Sequence, residues 1–190
     1  MRIKSLLLLL ALACTAGRLA AQNLVANGSF ESGDLTGWST SQPDGVNVFT
    51  GAPAQSGSYG VALGSSVNTD LFQWLTTEVG VSYDLSLWLS VDNGGSYENQ
   101  FTASIGGVDF LSLVNAPGSA FAETHHTFIA TSTSTLLNFN HTYSARFFYV
   151  DNVSVTATPT PIPEPATGVA AAGLAALGLA AWRRRLARQA

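Results

Sequence analysis

Lysine is nearly missing from this chain: Lys4 is the only one, and between Arg18 and Arg183 the sole basic residue is Arg146. All twelve acidic residues lie between Glu31 and Glu164, so residues 22–165 carry twelve acids against one arginine, a net charge of −11. Phosphate binding needs clustered Lys or Arg, so this stretch excludes a nucleic-acid partner. It suits solubility outside the cell, or cations. Cysteine is reduced to Cys14, which leaves residues 22–190 with neither a disulfide nor thiol chemistry. Residues 22–158 contain no stretch with helical periodicity and no long apolar run; apolar runs occur only at the two ends. There is no Gly-x-Ser-x-Gly elbow and no phosphate loop.

The N-terminal run has the layout of a secretory signal peptide. Arg2 and Lys4 precede a continuous apolar stretch from Leu6 to Ala13, and small residues lead to Ala20-Ala21-Gln22. The stretch is too short to span a bilayer. Cleavage is expected after Ala21, which makes residues 1–21 the signal, although Leu19 fits the minus-three position poorly. Ala11-Leu12-Ala13-Cys14 loosely resembles a lipoprotein signal but departs from it at Ala11.

At the other end, residues 156–165 alternate proline with small residues, which suits an extended linker, with 158–162 its Pro/Thr core. Ala166 to Trp182 follow without a charge, and 17 residues is the lower bound for one transmembrane helix. Arg183, Arg184, Arg185 and Arg188 come next, and arginines beside an apolar helix stay on the cytoplasmic side. Pro163-Glu164-Pro165, the apolar helix and the arginine cluster, in that order over residues 163–190, resemble the PEP-CTERM sorting signal. The resemblance implies an exosortase as partner, transient membrane anchoring, processing near Pro163, Glu164 and Pro165, and delivery to the cell surface or matrix, often beside exopolysaccharide and in biofilm. A plain membrane anchor is the alternative.

Residues 22–157 read as one all-β domain. Tyr83, Leu85, Leu87, Leu89 and Val91 alternate with Asp84, Ser86, Trp88 and Ser90, the period of a half-buried strand. Phe101, Ala103 and Ile105 alternate in the same way, and Gly106-Gly107 turns the chain toward Val108. Leu137, Phe139 and His141 alternate with Asn138 and Asn140, and a last strand runs from Phe147 to Val155. Strands about ten residues apart predict an antiparallel β-sandwich.

Asn27-Gly28-Ser29-Phe30-Glu31 followed by Gly37-Trp38, and Phe148-Tyr149-Val150-Asp151-Asn152-Val153 at the end, resemble the galactose-binding-like jelly rolls that include several carbohydrate-binding module families. The resemblance implies that the first and last strands lie side by side. It also implies a structural calcium, with Glu31 and Asp151 as side-chain ligands and Gly28 as a carbonyl ligand; hard oxygen donors suit that ion. The alternative is that Glu31 and Asp151 only cap turns or accept backbone amides. Trp88, Trp74, Tyr97 and Tyr143 offer flat aromatic faces that match sugar rings, while Trp38 reads as core. His125 and His126, adjacent on a strand, point to opposite faces and cannot readily share one metal ion. The expectation is an exported, non-catalytic protein, glycan-binding or purely structural and adhesive; a small polysaccharide-active enzyme is the remaining reading.

Overall fold

The computed structural model describes residues 22–50, 54–93, 98–143 and 146–159, together with Ala187. The chain divides into two compact units, Met1–Thr158 and Pro159–Ala190. The signal peptide at 1–21, Tyr97, Pro163, Glu164, Pro165, the 166–182 helix and Arg183, Arg184 and Arg185 all lie outside the described residues. Among the described residues no helix is long and apolar enough to cross a membrane.

Among the described residues ten strands make two five-stranded sheets, and every pairing is antiparallel. They are β1 Ser39–Thr40, β2 Val46–Thr50, β3 Tyr59–Leu63, β4 Thr69–Thr76, β5 Ser82–Val91, β6 Asn99–Ile105, β7 Val108–Val114, β8 Ser119–Ile129, β9 Ser134–Tyr143 and β10 Phe148–Ala157. A 3-10 turn, Pro43–Gly45, precedes β2. The first sheet runs β1-β4-β9-β6-β7 and the second β2-β3-β10-β5-β8.

Period two decides which side chains meet between the sheets. From the first sheet come Leu71 and Leu75 of β4, Phe101, Ala103 and Ile105 of β6, and Leu137 and Phe139 of β9. From the second come Val61 and Leu63 of β3, Leu85, Leu87 and Leu89 of β5, and Phe148, Val150, Val153 and Val155 of β10. Aromatic rings link the two layers: Phe101 lies 5.2 Å from Phe148 and Phe110 stacks on His126 at 4.9 Å, centroid to centroid. Residues 22–158 thus enclose a complete core of their own.

The N-terminal segment forms turns rather than a strand. Asn27 and Phe30 adopt positive φ, at 49° and 55°, which turns the chain back and drives Phe30 fully into the core beside Trp38. Trp38 is core as the sequence indicates, and its Nε1–H donates to the Asn27 carbonyl at 3.2 Å. The two ends of the domain do lie side by side. Leu24 N–H donates to Val155 O at 2.8 Å, Val153 N–H to Gly28 O at 2.8 Å, and Val155 N–H to Asn23 Oδ1 at 2.9 Å.

Candidate functional site

The same alternation that fills the core lays out the outer face of the first sheet. Asp70, Phe72 and Trp74 of β4 point outward, and the register places them opposite Asn140, Asn138 and Leu136 of β9. β6 continues the row, with Thr102 opposite Asn140 and Ser104 opposite Asn138. Asp70 organises the centre: its Oδ1 accepts from Asn138 Nδ2 at 2.9 Å and from Asn140 Nδ2 at 2.8 Å. A carboxylate only accepts, so both amides must turn their NH2 groups toward it. Asn138 Oδ1 is left buried and without a partner among the described residues. At the end of the row Trp74 stands 60% exposed, next to half-buried Phe72 and Leu136. An apolar ring beside a line of amides and a carboxylate is chemically suited to a sugar, which has apolar ring faces and polar edges.

The four aromatic residues singled out in the sequence do not form one platform. Trp74 lies on the outer face of the first sheet. Trp88 is half-buried on the outer face of the second, between Asp151 of β10 and Glu123 of β8. Tyr143 is an inward position of β9, 4% exposed, and packs on Phe148 at 5.3 Å, so most of its ring is in the core. Tyr97 lies outside the described residues. Asp70, Asn138, Asn140 and Phe72 were missed. The signal for them was present as the polar half of the β9 alternation, but nothing local announces that β4 pairs with β9.

Glu31 and Asp151 are brought to one loop. Asp151 is fully buried; its Oδ2 accepts from the backbone N–H of Gln55 at 2.9 Å and Ser56 at 3.2 Å, and its Oδ1 from Asn152 N–H at 2.7 Å. Glu31 Oε1 accepts from the N–H groups of Ser58 and Tyr59 at 2.9 and 2.8 Å. Burial pushes the Asp151 carboxyl above its ordinary value against the pull of its three N–H donors, and the Glu31 charge pushes the same way. Gly28 sits against Val153, two residues along β10 from Asp151, with its carbonyl engaged by Val153 N–H. Among the described residues no three His, Cys, Asp or Glu side chains cluster as metal ligands. His126 and His141 lie on different sheets, and His141 is buried.

A family model described as the PEP-CTERM protein-sorting motif matches residues 161–185. This chain carries the PEP-CTERM sorting motif. The match spans Pro163-Glu164-Pro165, the uncharged stretch and the first three arginines, so the sorting motif and the β-sandwich occupy different units. No curated protein matches the chain. Among solved structures the sandwich is similar to a family 61 carbohydrate-binding module in complex with β-1,4-galactotriose, with TM-score 0.60, 18% identity, and coverage of 73% of this chain and 100% of that one. It is also similar to the CBM22-1 xylan-binding domain from Paenibacillus barcinonensis Xyn10C, with TM-score 0.52, 15% identity and coverage of 75% and 98%. A third is the enzymatically active domain of tailspike protein 4 from bacteriophage CBA120, with TM-score 0.56, 18% identity and coverage of 72% of this chain and 21% of that one. At these identities the likeness fixes the fold alone: the domain that precedes the sorting motif in sequence is a jelly roll similar in fold to these modules.

Proposed function

We propose that this is an exported surface protein, processed by an exosortase at its sorting motif, whose sandwich binds a glycan on the outer face of β4, β9 and β6. The match over residues 161–185 supports the sorting half of this reading. In it the 166–182 stretch holds the chain in the membrane until cleavage near Pro163-Glu164-Pro165, and the arginines mark the side left behind. The binding half is supported by exposed Trp74 at the end of the Asp70–Asn138–Asn140 row, on a fold that carbohydrate-binding modules share. No catalytic step is assigned to it. Exopolysaccharide at the cell surface is the nearest source of ligand in this reading.

Retention on immobilised polysaccharides, the producing cell's own exopolysaccharide included, tests the binding half. Trp74→Ala weakens retention at least about tenfold. Trp88→Ala leaves it unchanged, because Trp88 lies on the other sheet. Loss with Trp88→Ala and none with Trp74→Ala moves the site to the second sheet; no retention on any polysaccharide leaves a structural or adhesive surface protein.

Glu31, Asp151 and the Gly28 carbonyl are proposed to hold a structural calcium. What supports this reading is that two carboxylates, hard oxygen donors of the kind calcium takes, converge on the 55–59 loop, while Arg146, the one basic residue of the domain, lies 3.9 Å from Asp92. Bound there, the ion would neutralise both carboxylates and fasten the first segment to β10 and the loop. Melting in calcium against melting in chelator is the measurement. The expected shift is several degrees upward with calcium, lost in Asp151→Ala; identical melting in both buffers removes the metal and leaves the carboxylates as anchors for backbone amides.

A further inference from the structure

The strand at the outer edge of the second sheet points to a second copy of this chain. β8 has 11 residues, the most of any strand, and it pairs with β5 on one side and with no described strand on the other. At about 3.4 Å per residue it presents an edge of roughly 36 Å. Its sequence, Ser119-Ala120-Phe121-Ala122-Glu123-Thr124-His125-His126-Thr127-Phe128-Ile129, has none of the lysines or prolines that commonly block edge pairing. Most of its positions are exposed, Ile129 to 65%.

The ladder with β5 fixes which backbone groups are free to pair outward. Ala130 N–H donates to Val81 O at 3.0 Å, and Gly80 N–H to Ala130 O at 2.8 Å. Hydrogen-bonding direction alternates along an antiparallel strand, and the register from Ile129 to Ala122 is unbroken. Glu123, His125, Thr127 and Ile129 therefore turn their N–H and C=O groups away from β5.

We infer that two copies pair antiparallel through β8 about a two-fold axis at Thr124, joining their second sheets into one ten-stranded sheet. In that register the outward groups of Glu123 meet those of the partner's His125, and the reverse, so the hydrogen-bonding parity is satisfied. The side chains also match. Glu123 and His125 share the outer face and already lie 3.3 Å apart within one strand, Oε2 to Nε2. Across the axis each carboxylate faces an imidazole of the other copy, a favourable cross-strand pair. A slip of two residues sets Glu123 against the partner's Glu123, or His125 against the partner's His125. The central register alone places acid against imidazole twice. An isologous contact of this kind closes on itself and gives a dimer rather than a fibre.

Sedimentation over a concentration series is the test, on the full chain and on residues 22–158, which enclose their own core. The expected result is a dimer whose dissociation constant rises at least about tenfold in Glu123→Lys and returns in the double exchange Glu123→Lys, His125→Glu. His125→Pro removes an outward donor while leaving the β5 ladder intact, and should give monomers that melt like the parent. If His125→Pro fails to fold, the charge exchange carries the test. A parent that is monomeric at every concentration overturns the inference, and so does a dimer that Glu123→Lys leaves unchanged.

Discussion

His141 lies fully buried on β9, its Nε2 3.1 Å from the Gly45 carbonyl oxygen and its Nδ1 without a partner among the described residues. Burial holds its pKa below the ordinary imidazole value of 6.5, against the raising effects of the Gly45 and Phe139 backbone and the Asp70 charge. The fold therefore favours neutral imidazole. Its contribution to stability is complete above 6.5 and is lost as the pH falls through that value toward the lowered folded pKa. A melting series across this window should show the midpoint falling with acid, and His141→Leu should flatten the fall; equal slopes in both proteins would show that some other group titrates. Trp74 is the opposite case at the same scale. Being 60% exposed, it contributes little to stability, so Trp74→Ala should change unfolding free energy by no more than about 0.5 kcal/mol while it weakens the proposed retention on polysaccharide. That separation is what a residue kept for a ligand looks like.

At the scale of elements, the joint between the N-terminal turns and β10 is closely packed. A Cβ on Gly28 would press into the Val153 carbonyl oxygen, a backbone atom with no freedom to move aside. Gly28→Ala should therefore cost more than about 2 kcal/mol by denaturant titration; a loss under 0.5 kcal/mol, roughly the size of a surface change, would mean that the two ends are not locked together as the hydrogen bonds indicate. β5, β6, β9 and β10 were legible in the sequence because each is half-buried, and Leu85, Leu87, Leu89, Leu137 and Phe139 repeat at every second position. The first segment was less legible. Its turns depend on positive φ at Asn27 and Phe30, and no periodicity reveals a backbone of that kind. The site was legible only in pieces. Trp74 stands out by composition, but the Asp70–Asn140 pair joins residues far apart in the chain through the register of two non-consecutive strands. The burial of Tyr143 was illegible for a related reason: β9 keeps its inward parity to its last residue, which places that tyrosine against the core.

For the whole molecule, charge and processing belong together. Seven of the eight basic residues lie in the two terminal segments, and all twelve acids lie between Glu31 and Glu164. Removal of both ends would turn a chain of net charge −4 into a strongly acidic sandwich with Arg146 as its only basic residue. Such a domain stays soluble and repels anionic polymers. In the proposed function the sorting motif delivers this sandwich to the surface and is then cut away. The intact mass of the protein recovered from the cell surface tests it most directly. The expected species starts near Gln22 and ends near Pro163-Glu164-Pro165, without Trp182 or the arginines after it. A surface form that retains Trp182 and Arg183 would contradict processing and leave a simple membrane anchor.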